Sequence, residues 1–278
     1  MSNAADAILE FRDVSFGYRD QAVLEHLSFS VNRGEFVAIV GPNGTGKSTT
    51  LRLADGLLAP NQGGVVTCGH ATETTRTSEL ARQVGFLFQN PDRQISQNTV
   101  REEVAFGLKA LYGKKDARVA SRTEEVLELL HLNGDVDPFT LAKGQRQAVA
   151  LAGLIAVDPE LLLLDEPTTG FDYAECQEMM EHIRHMNEAG TTVVMVCHDM
   201  ELVLQYASRV IVLAKGHVLV QGTPREVFSQ PGLLAQASLL PPQICALSQE
   251  LGRDFPSLAG LFTIDEMADA LVKMKGIS

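Results

Sequence analysis

The stretch that most restricts this chain runs from residue 36 to residue 58. Phe36-Val37-Ala38-Ile39-Val40 is a short continuous apolar run, the pattern of a strand buried on both faces. Gly41-Pro42-Asn43-Gly44-Thr45-Gly46-Lys47-Ser48 follows at once, and Ser48–Leu58 reads as a helix. The eight residues match G-x-x-x-x-G-K-[ST]. Glycines let backbone N–H groups turn inward around a phosphate, and the helix that follows adds the positive end of its dipole. Lys47 then reaches β- and γ-phosphates, and the Ser48 hydroxyl binds Mg²⁺. A chance glycine-rich turn would need neither the strand before it nor the helix after it. Residues Gly41 to Thr49 are therefore the expected nucleotide-binding loop.

A second chemical group stands at Leu161-Leu162-Leu163-Leu164-Asp165-Glu166. Two adjacent carboxylates at the end of a buried strand are costly unless paired or metal-bound. Beside a magnesium nucleotide both have a use. Asp165 is expected to hold Mg²⁺ through its water, as a Walker-B acid does, and Glu166 to polarise the attacking water. The plainer alternative is a capped strand end with solvated acids.

Strands alternating with helices from residue 36 to 220 predict a parallel α/β sheet. The opening strands within 7–31 lack intervening helices and predict a smaller antiparallel sheet beside it. Val100–Leu132 reads as helical, Gly144–Val157 as a buried helix, Glu175–Glu188 as an amphipathic one, and Thr192–Val196 as a buried strand. After Pro231 the pattern changes to short helices, Leu233–Leu240, Ile244–Leu251 and Ile264–Lys275, the last opened by the Thr263/Glu266 capping box. The charge of 23 − 35 = −12 argues against a general nucleic-acid binder. Four cysteines without C-x-x-C spacing suit a reducing compartment. No apolar run approaches the ~20 residues of a membrane span, and MSNAADAILEF has no secretion-signal pattern. His182 and His185, three apart, suit a solvated helix face better than a metal site.

With both phosphate motifs in place, the chain resembles the ATP-binding-cassette family over residues 7 to about 228. The fold this implies is α/β: a P-loop NTPase nucleotide-binding domain with a small antiparallel β subdomain and a helical subdomain at about 90–145, followed by a C-terminal helical appendage at 229–278. Tyr18 matches the aromatic that stacks on adenine, and Gln89 the glutamine that senses γ-phosphate and Mg²⁺ from a mobile loop. Leu141-Ala142-Lys143-Gly144-Gln145 matches the signature motif, Phe171-Asp172 the loop that crosses the dimer interface, and His198 the histidine that holds γ-phosphate and water. The resemblance makes Glu166, His198 and Gln89 catalytic and gives the metal to Ser48, Gln89 and Asp165.

The usual signature is Leu-Ser-Gly-Gly-Gln, so Ala142 removes a hydroxyl and Lys143 replaces the first glycine. Losing one donor to a transition-state oxyanion can cost ~10²–10³ in rate. Lys143 either compensates as a point charge on the partner's phosphate or points to solvent. One phosphate loop and one signature per chain imply an active unit of two chains, a homodimer or a pair with a homologous ATPase. ATP and Mg²⁺ are the expected ligands, and no nucleic acid is expected. The Gln89–Gln94 loop and the C-terminal helices resemble ATPases of energy-coupling factor importers and their cobalt and nickel relatives. That implies peripheral attachment at the cytoplasmic face of a membrane. It also implies an integral membrane scaffold, which meets residues 90–140, and a substrate-capture subunit for a vitamin or transition-metal ion. The rival readings are an importer fed by an external binding protein, a soluble cassette ATPase acting on ribosomes or DNA, and a regulatory module without catalysis.

Overall fold

Apolar residues at alternating positions draw the start of the chain into hairpins. In the computed structural model, which describes residues 6–19 and 21–274, Ala7–Tyr18 (β1) and Gln21–Asn32 (β2) pair antiparallel, with Phe11 opposite Phe29 and their rings stacked 4.7 Å apart. The readings placed on Met1–Ala5 and on Lys275 lie outside the described residues. Phe36–Val40 (β3) is buried at every position, and Lys47–Ala54 (α1) follows the glycine loop. Gln62–Thr67 (β4), His70–Ala71 (β5), Thr77–Leu80 (α2) and Val84–Leu87 (β6) come next. The order β2-β1-β4-β5, antiparallel throughout, makes the smaller sheet.

The helix read as Ser48–Leu58 ends at Ala54, where Asp55 caps it and Gly56 takes a positive φ of 70°. The helical pattern over Val100–Leu132 is two helices, Val100–Tyr112 (α3) and Ala117–Leu129 (α4). Gly113 at φ 89° turns the chain, and Asp116 starts α4 by accepting the Arg118 N–H at 2.9 Å. Apolar periodicity ran through this break because both helices turn an apolar face to one core. Lys143–Val157 (α5) packs against α3 and α4.

Leu161–Asp165 (β7), Tyr173–Glu188 (α6), Thr192–Val196 (β8), Met200–Tyr206 (α7), Arg209–Ala214 (β9) and His217–Gly222 (β10) complete the larger sheet and its helices. Its strand order is β10-β9-β3-β8-β7-β6. The strands from β9 to β6 run parallel, and only β10 is antiparallel. Leu161–Leu164 are fully buried between two apolar layers, and each such side chain contributes ~1.5–3 kcal/mol. Because β3, β6, β7 and β8 are parallel, their C-terminal ends open on one edge, where open α/β sheets hold ligands.

Pro224–Phe228 (α8), Pro231–Gln236 (α9), Gln243–Leu251 (α10) and Ile264–Met274 (α11) follow. Thr263 and Glu266 make their reciprocal cap at 3.1 Å each. Leu234, Ala237, Cys245 and Phe262 join the same apolar cluster as Met195 and Val203. The C-terminal helices thus share the core of the domain before them. Among the described residues no helix is long and apolar enough to cross a membrane.

Candidate functional site

The loop after β3 is shaped by glycines that no other residue could replace without strain. Gly41 has φ 153°, and a Cβ there would lie 2.2 Å from the Leu213 carbonyl oxygen. Gly46 has φ 93°, and a Cβ would meet the Leu24 side chain at 2.4 Å. Thr45 donates to the Pro42 carbonyl at 2.9 Å, and Lys47 Nζ donates to the carbonyls of Gly41 and Pro42 at 2.8 and 2.9 Å. The ammonium is therefore held across the mouth of the loop. Burial pulls the Lys47 pKa down, and the nearby Glu166 and Asp165 charges oppose that pull.

Strand β7 delivers the two acids to the same edge. Asp165, 2% exposed, accepts the Ser48 hydroxyl at 2.9 Å. Burial raises its pKa, the Ser48 hydrogen bond lowers it, and the Glu166 charge raises it again. A buried carboxylate facing a hydroxyl is an oxygen donor set that suits Mg²⁺, a hard cation that prefers oxygen ligands. Glu166 has a left-handed backbone, φ 52°, a conformation costly for a residue with a Cβ. It turns the side chain out of the strand line into the cleft. There three groups meet it. Gln89 Nε2 donates to Oε2 at 2.9 Å, Thr169 Oγ1 donates to Oε2 at 3.3 Å, and His198 Nε2 lies 3.0 Å from Oε1.

A cleft of about 630 Å³ gathers Tyr18, Asn43, Gly44, Gly46, Lys47, Ser48, Thr49, Gln89, Glu166 and His198. Gly41, Pro42 and Thr45 shape the loop behind it, and Asp165 lies beneath Ser48. Tyr18 is 44% exposed and edge-on to Phe16 at 4.9 Å. A larger cleft, about 1140 Å³, lies between α6, α7 and the C-terminal helices and holds none of these groups. Sequence reading missed Gln21 and Val23, which line the cleft from β2; their closeness to Tyr18 across the hairpin was the available signal. It also missed Thr169, three residues beyond Glu166 on the turn that follows β7.

Leu141, Ala142, Lys143, Gly144 and Gln145 do not line this cleft in the single chain. They form the start of α5, with Ala142 at the N-cap and Gln145 Oε1 accepting the Ala142 N–H at 3.2 Å. Lys143 is exposed, its stem beside Gly170, and Gly144 is buried under Gly170 and Phe171. Asp172 caps α6, exchanging hydrogen bonds with Glu175 at 2.9 and 3.0 Å. The solvated-face reading holds for His185 and fails for His182, whose side chain is 16% exposed. Burial lowers the His182 pKa, and Nε2 has no hydrogen-bond partner among the described residues. The end of α4 and the start of α5 cover that face of α6.

The family model described as ABC transporter matches residues 24–169. The energy-coupling factor transporter ATP-binding protein EcfA of Methanocaldococcus jannaschii is 38% identical over 271 residues, 95% of this chain and 97% of that protein. Among solved structures, cbiO1 from Clostridium perfringens, part of the ABC transporter complex cbiONQ, superposes with a TM-score of 0.73 at 29% identity over 90% of this chain and 96% of that one. A dimeric ATP-binding cassette in a post-hydrolysis state, bound to ADP and Pi, does so with a TM-score of 0.69 at 28% identity over 77% and 98%. The chain spans less than half the length of several curated relatives, 45% of one from Caldanaerobacter subterraneus to which it is 39% identical over 91% of its own length. These likenesses, beside a glycine cradle, a strand-end acid pair and a histidine on one sheet edge, make a single assignment: the chain belongs to the ABC transporter family, as an ABC-type ATPase domain.

Proposed function

We propose that this chain is the ATP-hydrolysing subunit of an energy-coupling factor type importer, acting as one of two cassettes at the cytoplasmic face of a membrane. The observation that carries the catalytic half is the meeting of Gln89, Thr169 and His198 on Glu166 beside the Lys47 loop. Phosphoryl transfer to water needs positioning and charge stabilisation more than covalent chemistry, and this set supplies both. Lys47 and the loop N–H groups bind the phosphates, and Tyr18 offers a ring for the base. Ser48 and Asp165 would hold Mg²⁺, with Gln89 sensing it; the ion supplies neutralisation of phosphate charge. Glu166 accepts the proton of the attacking water. His198 and Gln89 hold Glu166 in place and address the γ-phosphate.

The transport half rests on likeness and on surface. The relative that this chain nearly spans is named for energy-coupling factor transport, and the cbiO1 neighbour belongs to a transporter complex. Phe106 and Phe139 are 55% and 52% exposed in the region expected to meet a membrane scaffold, which leaves two apolar rings open to a partner there. The cargo is a vitamin or a transition-metal ion, captured by another subunit. Residues 141–145 and Asp172 serve the partner's nucleotide, since they stand outside this chain's own cleft.

The test is Glu166→Gln. Turnover should fall by ~10²–10⁴, while ATP still binds and shifts the chain from monomer to dimer in light scattering. Hydrolysis that survives the change removes the base assignment, and scattering that shows only monomers with ATP removes the paired-cassette reading. Capture of integral membrane proteins with the chain from native membranes tests the importer reading, and the recovery of none would end it.

A further inference from the structure

The loop that carries Gln89 is closed on itself by the side chain of Gln94, whose Oε1 accepts the Phe88 N–H at 3.1 Å. Gln89 lies on the loop after β6, is exposed, and bonds through its side chain to Glu166. The loop is also fixed from outside, at points that flank Gln89. On one side the buried Gln147 of α5 donates Nε2 to the Phe88 carbonyl at 3.3 Å, and its Oε1 has no partner among the described residues. On the other side Arg146 of α5 sets Nε 2.7 Å from Asp92 Oδ1. That is an ion pair by distance whose N–H lies off the line to the oxygen. Asn90 prepares Asp92 for this by accepting its N–H at 3.1 Å, which closes the short turn Pro91–Arg93. Further along, Glu103 of α3 accepts the N–H groups of Ser96 and Gln97 at 2.8 Å each.

Arg146 also reaches the opposite way. Its Nη1 donates to the Leu141 carbonyl at 2.5 Å, and its side chain is 19% exposed. One guanidinium thus bridges the turn after Gln89 and the segment 141–145. A rigid planar fork sets separate donors toward the two acceptors at fixed angles, a geometry that the compact point charge of a lysine does not reproduce. We propose that Arg146 is a positioning residue for ATP hydrolysis: through Asp92 it ties the loop that carries Gln89 to the start of α5, so that Gln89 is aimed at Glu166 only when residues 141–145 are in place. The proposal rests on the reading above, in which Gln89 and Glu166 serve hydrolysis and 141–145 serve the partner's nucleotide. It adds that the two halves are mechanically joined within one chain, by a two-residue link.

The experiment compares steady-state Mg-ATP hydrolysis by the full chain with that of Arg146→Ala, Asp92→Ala, the double variant and Arg146→Lys. Misplacement of a catalytic arm by about 1 Å lowers rate by up to ~10²-fold. Each single alanine variant should therefore lose roughly ten- to a hundredfold in kcat, with KM for ATP within about twofold. The double variant should lose no more than the larger single loss, since both act through one contact. Arg146→Lys should fall between the wild type and Arg146→Ala. Independent losses that multiply, losses confined to KM, or unchanged kcat would each overturn the proposal. A readout that needs no turnover is hydrogen exchange. Amides at 90–94 should exchange faster in both single variants, with Ser96 and Gln97, held by Glu103, unchanged. Equal protection at 90–94 in wild type and variants overturns it as well. Wild-type turnover that Glu166→Gln abolishes establishes the underlying reading separately, so the two failures are distinguishable.

Discussion

The cleft around Lys47 and the start of α5 are built by opposite means. Every group in the cleft's catalytic half hangs on the end of a buried parallel strand: Gly41 on β3, Gln89 beyond β6, Asp165 and Glu166 on β7, His198 beyond β8. Their partners lie in the same chain. The start of α5 carries the residues that resemble the family's signature, yet it does not line that cleft, and its N-cap is an alanine that offers no oxygen. Four N–H groups at a helix start need partners from outside the helix. The first region finds its partners within the chain, and the second leaves helix-start N–H groups without partners in that cleft. In the proposed reading, the strand edge sets where phosphate sits and the helix start is what a second chain would use.

If the cleft is set by its own chain, a change at its backbone should damage stability and binding together. Gly41→Ala is the strongest such change, because the added Cβ lies 2.2 Å from the Leu213 carbonyl oxygen in β9. That contact is backbone and has no rotamer to yield. We expect a loss on the order of 3 kcal/mol or more in urea unfolding, with ATP binding lost at temperatures where the chain is still folded. Gly34→Ala is the matched control. Its φ is +75° and nothing among the described residues lies within 4 Å of the added methyl, so only the backbone penalty of ~1–2 kcal/mol is expected. Equal costs at the two positions would break the argument that close packing against β9 fixes the loop.

The far end of α1 offers a smaller, pH-dependent probe. Asp55 caps the C-terminal end of α1, where the helix dipole disfavours a negative charge, and burial pushes its carboxyl up from 3.8 to about 7. Between those values the folded state binds a proton that the unfolded state has released. Stability from this group is therefore full below about pH 4 and falls as pH rises to about 7, with little change beyond. At ~1.4 kcal/mol per unit, the loss is on the order of a few kcal/mol. Asp55→Asn should flatten the stability profile between pH 4 and 7 and leave the variant more stable than wild type at pH 8. Parallel profiles for the two proteins would show that the carboxyl finds a partner once charged.

These regions were unequally legible in the sequence. The cradle and the acid pair could be read because motif and strand coincide, so that Phe36–Val40 and Leu161–Leu164 name both the fold and the place of the chemistry. The convergence on Glu166 was legible only as separate residues, since 77 positions separate Gln89 from Glu166 and the parallel sheet alone brings them together. The break at Gly113 was hidden because α3 and α4 share one apolar core. His182 was misread because α4 and α5 cover its face of α6, a long-range contact that helix spacing does not carry. The ties from Arg146 to Asp92 and from Gln147 to Phe88 were invisible for the same reason.

The smallest stability effect expected is at the start of α5, and it decides how far the second region depends on another chain. Ala142→Ser restores an oxygen at the N-cap while Gln145 already accepts the Ala142 N–H, so the variant completes a capping box. That should add ~1 kcal/mol of stability, seen as a higher unfolding midpoint in the chain alone. In the two-chain arrangement the same oxygen also becomes a donor to the partner's phosphate, and turnover should rise with it. The two readouts separate the roles. A higher midpoint with unchanged turnover would mean that the hydroxyl serves its own helix only, and that the start of α5 contributes backbone alone to the shared site.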